Sequence, residues 1–285
     1  MKQSLSFVLL NFLILGNQDS LGQAYLLDSN CGVSKYTYRI AGGRDADLMS
    51  APWMAYLHSN SRFICGGSLV NHWFVLTAAH CFKPNNGTIY VRLGENDASR
   101  RIDCDQFECA PSHSEYWILQ KFIYPYYKNA RYYDIALVKL NRNVIYTESI
   151  RPICVILNPQ WQEYLNSIPN FIVSGWGATN TADESDKLQI VKLPQVHRST
   201  CRSWFGYNVD RTQICAGEAK RYVGKGDSGG PLGSMVNYGN SRRFVQFGIV
   251  SHLRHPFQGV SVFTNVLSYA NWIYQIIQSD TSNIY

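Results

Sequence analysis

RYVGKGDSGGPL, residues 221–232, places Ser228 in a tight turn between Gly226-Asp227 and Gly229-Gly230. A serine hydroxyl is a poor nucleophile near neutral pH. It needs a base to take its proton and a carboxylate to hold that base in the right tautomer. It also needs backbone N–H donors aimed at the oxyanion that develops, and a turn flanked by glycines can present them without a side chain in the way. The partners of Ser228 therefore decide what this stretch means.

Gly-Asp-Ser-Gly-Gly also satisfies G-x-S-x-G, the nucleophile elbow of α/β-hydrolases. Such a serine has its acid and then its histidine downstream, within alternating strands and helices. The segment after Ser228 is short and lacks that pattern. The candidates lie upstream instead. LTAAHC ends in His80-Cys81, and YYDIALVKL carries Asp134 ahead of an apolar run. The order is His, Asp, Ser. Alone, a histidine is more often structural, and an aspartate before a strand is more often a cap or turn residue. The constellation carries the signal.

The rest of the chain agrees with an all-β frame. WMAYLH, GGSLV, WFVLTA, TIYVRL, DIALVKL, FIVSGW, FVQFGIV and VSVFTNV are short runs rich in β-branched and aromatic residues, separated by turn residues. Helical periodicity is nearly absent until the end. There Tyr269, Trp272, Ile273, Ile276 and Ile277 share one face, with Ser268 as the expected N-cap. Barrels or a sandwich with one terminal helix follow.

Composition bounds the setting. The chain has 285 residues, enough for one large domain or two small ones. An apolar run from Leu5 to Leu15, interrupted at Ser6 and Asn11, precedes Ser20-Leu21-Gly22. That is the pattern of a cleaved signal peptide over residues 1–22, too short for a membrane span. Export predicts oxidised cysteines. Cys31, Cys65, Cys81, Cys104, Cys109, Cys154, Cys201 and Cys215 admit on the order of a hundred pairings, so spacing alone leaves the connectivity open. No C-x-x-C pair supports a metal site. The net charge of +6 is scattered rather than clustered, which argues against a nucleic-acid or membrane surface. Asn86-Gly87-Thr88 is a glycosylation sequon.

Taken together, LTAAHC, YYDIALVKL and GDSGGPL, with CGGSLV before the histidine, RPIC at 151–154 and SGWG at 174–177, resemble the chymotrypsin-like serine proteases. The resemblance runs from about Cys31 to the terminal helix. Within that family the chain is most similar to insect secreted proteases of the clip-associated type, although too few cysteines precede Cys31 for a clip domain. The resemblance implies two packed six-stranded antiparallel β-barrels with a C-terminal helix and the site in the cleft between them. It implies His80 as general base, Asp134 as its orienter and Ser228 as nucleophile, with the N–H groups of Gly226 and Ser228 as the oxyanion hole. It pairs Cys65 with Cys81, Cys201 with Cys215 and Cys31 with Cys154, and the likeness to those insect proteases, which often carry a small extra disulfide in an early loop, implies a Cys104–Cys109 bridge. Closing the loop of about 15 residues at Cys65–Cys81 contributes on the order of 3 kcal/mol in the chain-entropy model.

YRIAGG at 38–43 looks like the family's activation site, with the cut between Arg39 and Ile40. The freed Ile40 amine would pair with Asp227. The expected domains are therefore a signal peptide (1–22), a short propeptide (23–39) and a protease domain (40–285). The implied protein is a secreted, extracellular serine endopeptidase made as a zymogen. Its partners would be a protein or peptide substrate, an activating trypsin-like protease and protease inhibitors. No cofactor, nucleic acid or membrane is implied, and a monomer is expected. The alternative is a weakly active or non-catalytic homologue acting as a regulatory binding protein. Glu95 lies in a loop where some relatives bind calcium; a solvated carboxylate is the plainer expectation.

Counting back from Gly226 without gaps puts Tyr222 at the base of the family's specificity pocket, where trypsin-like members carry Asp. Gly224 falls where a bridging cysteine is usual. Val223 and Lys225 fill out that loop. Across the pocket, Ser251, Leu253 and Ser261 stand where relatives read Ser-Trp-Gly and a further glycine. An Arg or Lys side chain would lack a buried carboxylate there, at a cost of several kcal/mol. The expectation is an enzyme that does not prefer Arg or Lys.

Overall fold

The computed structural model describes residues 25–35, 43–82, 87–179, 182–219, 221, 223–253 and 259–281. The signal peptide, Arg39, Ile40, Asn86 and Tyr222 lie outside the described residues.

A two-residue strand, β1 (Arg44–Asp45), leads into six strands: β2 (Met54–Ser59), β3 (Arg62–Leu69), β4 (Phe74–Thr77), β5 (Tyr90–Leu93), β6 (Ser114–Ile123) and β7 (Ala136–Leu140). They close an antiparallel barrel in the order β2-β3-β4-β7-β6-β5. A short helix, α1 (Gln162–Ser167), and a longer crossing then lead to the second set: β8 (Asn170–Gly175), β9 (Gln189–Val196), α2 (Arg198–Phe205), β10 (Gln213–Gly217), β11 (Pro231–Tyr238), β12 (Ser241–Leu253) and β13 (Val260–Asn265). Here the order is β9-β10-β13-β12-β11-β8, and pairing of β8 with β9 closes a second six-stranded barrel. β1 adds to the outer edge of β9. The expected double-barrel fold is present.

Each barrel is filled by the apolar residues of its strands, since alternate side chains of a closed sheet point inward. Leu57, Leu69, Phe74, Leu76, Val91 and Leu137 fill the first; Phe171, Val173, Leu193, Phe247 and Phe263 fill the second. The barrels are joined by buried contacts. Trp53 stacks on Phe244 with ring centroids 4.8 Å apart, and Ser68 Oγ donates to Gln246 Oε1 at 2.6 Å. Trp176 meets Tyr56 edge-on. These contacts fasten the two barrels to each other.

The terminal helix, α3 (Ala270–Thr281), returns to the first barrel through Ile273 and Ile277. Lys139 Nζ and Asp280 Oδ2 clasp it at 2.7 Å. Its start corrects the sequence expectation. A 3-10 turn, Val266–Tyr269, precedes it, and the side chain of Asn265 caps that turn by accepting from Leu267 N–H at 3.2 Å. Ser268 is no cap; its hydroxyl donates to the Arg211 carbonyl.

Several elements lie outside the quoted runs, β6 and α2 among them. β6 has both faces largely exposed, so its run lacks a clean alternation. α2 spans only eight residues, with His197 accepting from Ser199 N–H at its start and Gly206 in the left-handed region (φ 70°) at its end. So short an element shows little period. Its interior cysteine, Cys201, anchors it to β10 through Cys215.

All eight cysteines are paired, as Cys31–Cys154, Cys65–Cys81, Cys104–Cys109 and Cys201–Cys215. The Cys65–Cys81 bridge spans from β3 to the 3-10 turn that carries His80. No helix among the described residues is long and apolar enough to cross a membrane.

Candidate active site in the cleft between the barrels

His80 sits on a single 3-10 turn, Ala79–Phe82, directly after β4. That turn is pinned by its own disulfide on one side and by Asp134 on the other. Asp134 Oδ1 accepts the His80 backbone N–H at 2.9 Å, and Asp134 Oδ2 faces the ring Nδ1 at 2.7 Å. One carboxylate thus fixes both the backbone and the ring of the histidine. A carboxylate on Nδ1 sets the tautomer with the Nδ1 proton, leaving Nε2 as the proton acceptor toward the cleft.

Asp134 is 1% exposed, and a carboxylate in that position is costly unless hydrogen bonds satisfy it. The second barrel provides a further donor in reach. Ser251 Oγ lies 2.6 Å from Asp134 Oδ2, and the Thr264 hydroxyl donates to the Asp134 carbonyl at 2.8 Å. The sequence reading put Ser251 on the wall of the specificity pocket; its hydroxyl instead faces Asp134. The signal for this role was absent from the local sequence, because the two residues are 117 positions apart.

The Ser228 turn lies against the same region of the first barrel. The Ser228 carbonyl accepts the Gly66 N–H at 2.8 Å. Gly229 has φ 79°, and a Cβ there would stand 2.2 Å from Thr77 Oγ1 and 2.3 Å from the Gly66 carbonyl. Gly226 has φ 101°, and a Cβ on it would stand 3.0 Å from the Gly177 Cα. Within the turn, the N–H groups of Asp227, Gly229 and Gly230 donate to Gly224, Val250 and Asp227 carbonyls. Among the described residues no backbone carbonyl accepts from Gly226 or Ser228. These are the two N–H groups that the sequence resemblance assigns to an oxyanion hole.

Asp227 explains the SGWG motif. Gly177 N–H donates to its Oδ1 at 2.9 Å, and Gly224 N–H to its Oδ2 at 2.7 Å. A Cβ on Gly175 would stand 2.2 Å from Asp227 Oδ1, and one on Gly177 2.6 Å from its Cγ. Both glycines are needed for the carboxyl to seat. No cation pairs with Asp227 among the described residues. Burial pushes its carboxyl up to about 6, against the pull of the Gly224 and Gly177 N–H bonds.

The proposed pocket wall is partly redrawn. Val223 is 1% exposed and packs into the core of the second barrel, so its side chain does not line a pocket. Gly224 presses on Ala178, where a Cβ would meet the carbonyl oxygen at 2.3 Å, which excludes any side chain as this loop is folded. The Lys225 side chain is exposed, while its carbonyl accepts from Ala178 N–H. Ser261 is 1% exposed, and its hydroxyl has no hydrogen-bond partner among the described residues. The backbone of Leu253 pairs with that of Ser261.

Glu95 is not solvated, contrary to expectation; it is 5% exposed. Its Oε2 faces His113 Nδ1 at 3.1 Å and Arg92 at 3.6 Å. Burial, then the charge of Asp103, pushes its carboxyl up to about 7, while Arg92 pulls it down. Its Oε2 is buried and makes no hydrogen bond among the described residues, its ion-pair neighbours being Arg92 and His113.

The model of the trypsin family matches residues 40–273. The chain belongs to the trypsin family. Among its relatives, serine protease grass of Drosophila melanogaster is 35% identical over 274 residues, covering 88% of this chain and 71% of that protein. Phenoloxidase-activating factor 3 of Holotrichia diomphalia is 35% identical over 269 residues, covering 88% and 75%. The crystal structure of the Drosophila Grass clip serine protease of the Toll pathway is similar with a TM-score of 0.79 at 34% identity, over 89% of this chain and 77% of that chain. This member of the trypsin family thus resembles clip-domain serine proteases over most of its length.

Proposed function

We propose that this trypsin-family chain is a secreted serine endopeptidase, made as a zymogen and switched on by cleavage after Arg39. The observation that carries the reading is the double contact of Asp134 with His80, on a turn that the Ser228 loop packs against. In this mechanism His80 Nε2 takes the Ser228 hydroxyl proton as Oγ bonds to the scissile carbonyl carbon. The carbonyl π electrons move to oxygen, where the Gly226 and Ser228 N–H groups receive the oxyanion. His80 then gives its proton to the leaving amine as the C–N bond breaks. Water enters by the same route in reverse, losing a proton to His80, and releases the acid and free Ser228. The mechanism is that of the family's Ser-His-Asp template.

The switch rests on Asp227. In the uncleaved chain it holds only backbone N–H donors among the described residues, and its carboxyl is poised near neutrality. A new amine at Ile40 would supply the missing cation and hold the turn that carries the oxyanion donors.

A fluorophosphonate label tests both parts. Cleaved protein should label on Ser228, while uncleaved Arg39→Gln protein and cleaved His80→Ala protein should not. Cleaved wild-type protein that neither labels nor hydrolyses any peptide would instead make this a non-catalytic homologue with a binding role.

A further inference from the structure

Four arginines, spread from 131 to 211 in the sequence, gather about α2 and the start of β10. Gln213 Nε2 donates to the Arg131 carbonyl at 2.7 Å, and the Gln213 carbonyl accepts Arg198 Nε at 3.3 Å. Arg202 lies one turn after Arg198 on α2 and donates to the Val209 carbonyl at 3.4 Å. Arg211 is fixed just before Gln213, its carbonyl accepting from Asn265 Nδ2 at 2.7 Å and Ser268 Oγ at 3.0 Å. Arg131, Arg202 and Arg211 are exposed, and Arg198 is half-buried.

None of the four forms an ion pair among the described residues. The acid beside them is Asp210, and its Oδ1 already accepts the Thr212 N–H and hydroxyl at 2.8 and 2.6 Å. Burial holds the Arg198 guanidinium below its ordinary value, and the charge of Arg211 lowers it further, against the attraction of Asp210. Like charges gathered without carboxylate partners repel one another and attract an incoming anion.

The patch adjoins the cleft. Ser251 Oγ lies 2.6 Å from Asp134 Oδ2 and 2.7 Å from the carbonyl of Ala130, the residue before Arg131. The Arg131 Cζ stands 5.6 Å from the centre of the Tyr207 ring, and Phe205 meets that ring edge-on. Charge and aromatic rings thus occur together here. The planar fork of a guanidinium fits a carboxylate, and ring faces fit the apolar side chains between acids. A uniformly sulfated polysaccharide would have no use for the rings. We propose that this patch is a docking surface for an acidic segment of the protein substrate, held beside the cleft while another part of that substrate is cleaved. The word substrate rests on the peptidase reading; the anion site does not.

The binding arm of the test uses Ser228→Ala protein cut after Arg39, which needs no turnover. The probe is a fluorescent peptide of repeated Glu-Asp-Tyr, compared with a Lys-Lys-Tyr peptide and a heparin fragment of equal charge to the acidic peptide. Anisotropy should show the acidic peptide bound and the lysine peptide free, with binding weakened about tenfold or more as salt rises from about 0.05 to 0.5 M. Arg202→Glu combined with Arg211→Glu should weaken it about tenfold or more at low salt. Arg202→Lys combined with Arg211→Lys keeps the charge and should stay within about threefold of wild type. If the reversed pair does not fold, Arg131→Gln takes its place, with a loss of about threefold expected.

The kinetic arm uses the cleaved wild-type enzyme. A peptide substrate extended by the Glu-Asp-Tyr segment should have a kcat/KM about tenfold above that of the same substrate extended by Gln-Asn-Tyr, and the reversed pair should erase this ratio. Equal binding of the acidic peptide by wild-type and reversed-charge protein, or tighter binding of the heparin fragment, overturns the proposal. So does an enzyme that cleaves both extended substrates equally well. Cleaved wild-type protein without any turnover would sink the peptidase reading alone, and the anisotropy result would still decide the anion site.

Discussion

Gly229 and Thr77 come so close that a single Cβ on the glycine would stand 2.2 Å from the threonine Oγ1. The contact joins the Ser228 turn to the strand end that leads into His80. Thr77 cannot yield easily, since its hydroxyl donates to the Gly66 carbonyl at 2.8 Å. Gly229→Ala should therefore both strain the backbone at φ 79° and push the two halves of the site apart. We expect a folded protein destabilised by about 2–4 kcal/mol, with catalytic loss exceeding tenfold. Urea unfolding and kcat/KM of the cleaved enzyme would check this; a variant with unchanged turnover would show that the contact does not set the site geometry.

Asp227 predicts a pH dependence of the uncleaved chain. Its folded-state carboxyl lies near 6, above the ordinary value of 3.8. The folded state thus binds the proton more tightly, and stability from this group is fully present below about 4 and lost as pH rises through about 6. A shift of this size corresponds to on the order of 3 kcal/mol. Urea titrations of Arg39→Gln protein should show that loss between pH 4 and pH 7. Adding Asp227→Asn should remove the slope due to this residue while leaving the parallel slope from Glu95, whose carboxyl lies near 7. In the cleaved enzyme the Ile40 amine should abolish the Asp227 loss. Equal slopes with and without Asp227 would contradict the assignment.

The propeptide should stay attached after activation. Cys31 is bonded to Cys154, and the segment around it adds backbone bonds: Leu27 to Val155, Gly32 to Pro152 and Phe244 to Gly32. Arg243 also donates to the Cys31 carbonyl. Protein cut after Arg39 should run as two chains in denaturant only after reduction. Cys31→Ser protein should separate in denaturant without a reductant yet remain associated under native conditions. Separation of wild-type chains without reduction would rule out the tether.

Residue preference should follow the altered pocket loop. Gly224 is sterically unable to carry a bridging cysteine, and Ser261 offers a buried hydroxyl where a glycine would open space. Cleaved enzyme tested on a positional peptide library should favour small or apolar residues at the cleaved bond. A preference of about tenfold or more for Arg or Lys would require a buried carboxylate in the pocket. That outcome would show the pocket to be built from other residues.

The sequence by itself determined the chemistry-bearing segments and the class of fold. GDSGGPL, LTAAHC and YYDIALVKL are local patterns, and the β-branched runs mark strands because a strand's side-chain period is written in consecutive residues. Even the two glycines of SGWG were visible, though not the carboxyl of Asp227 that they accommodate. Only the tertiary structure decided which residues meet. Ser251 turns from the expected pocket wall to Asp134, and Val223 turns into the core. Asn265 rather than Ser268 caps the terminal turn, and His252 meets the Tyr207 hydroxyl, 45 positions away. Periodicity says which face of an element is apolar, but not which distant side chain completes a hydrogen bond. That choice is made when two closed barrels are packed and each buried donor must find an acceptor.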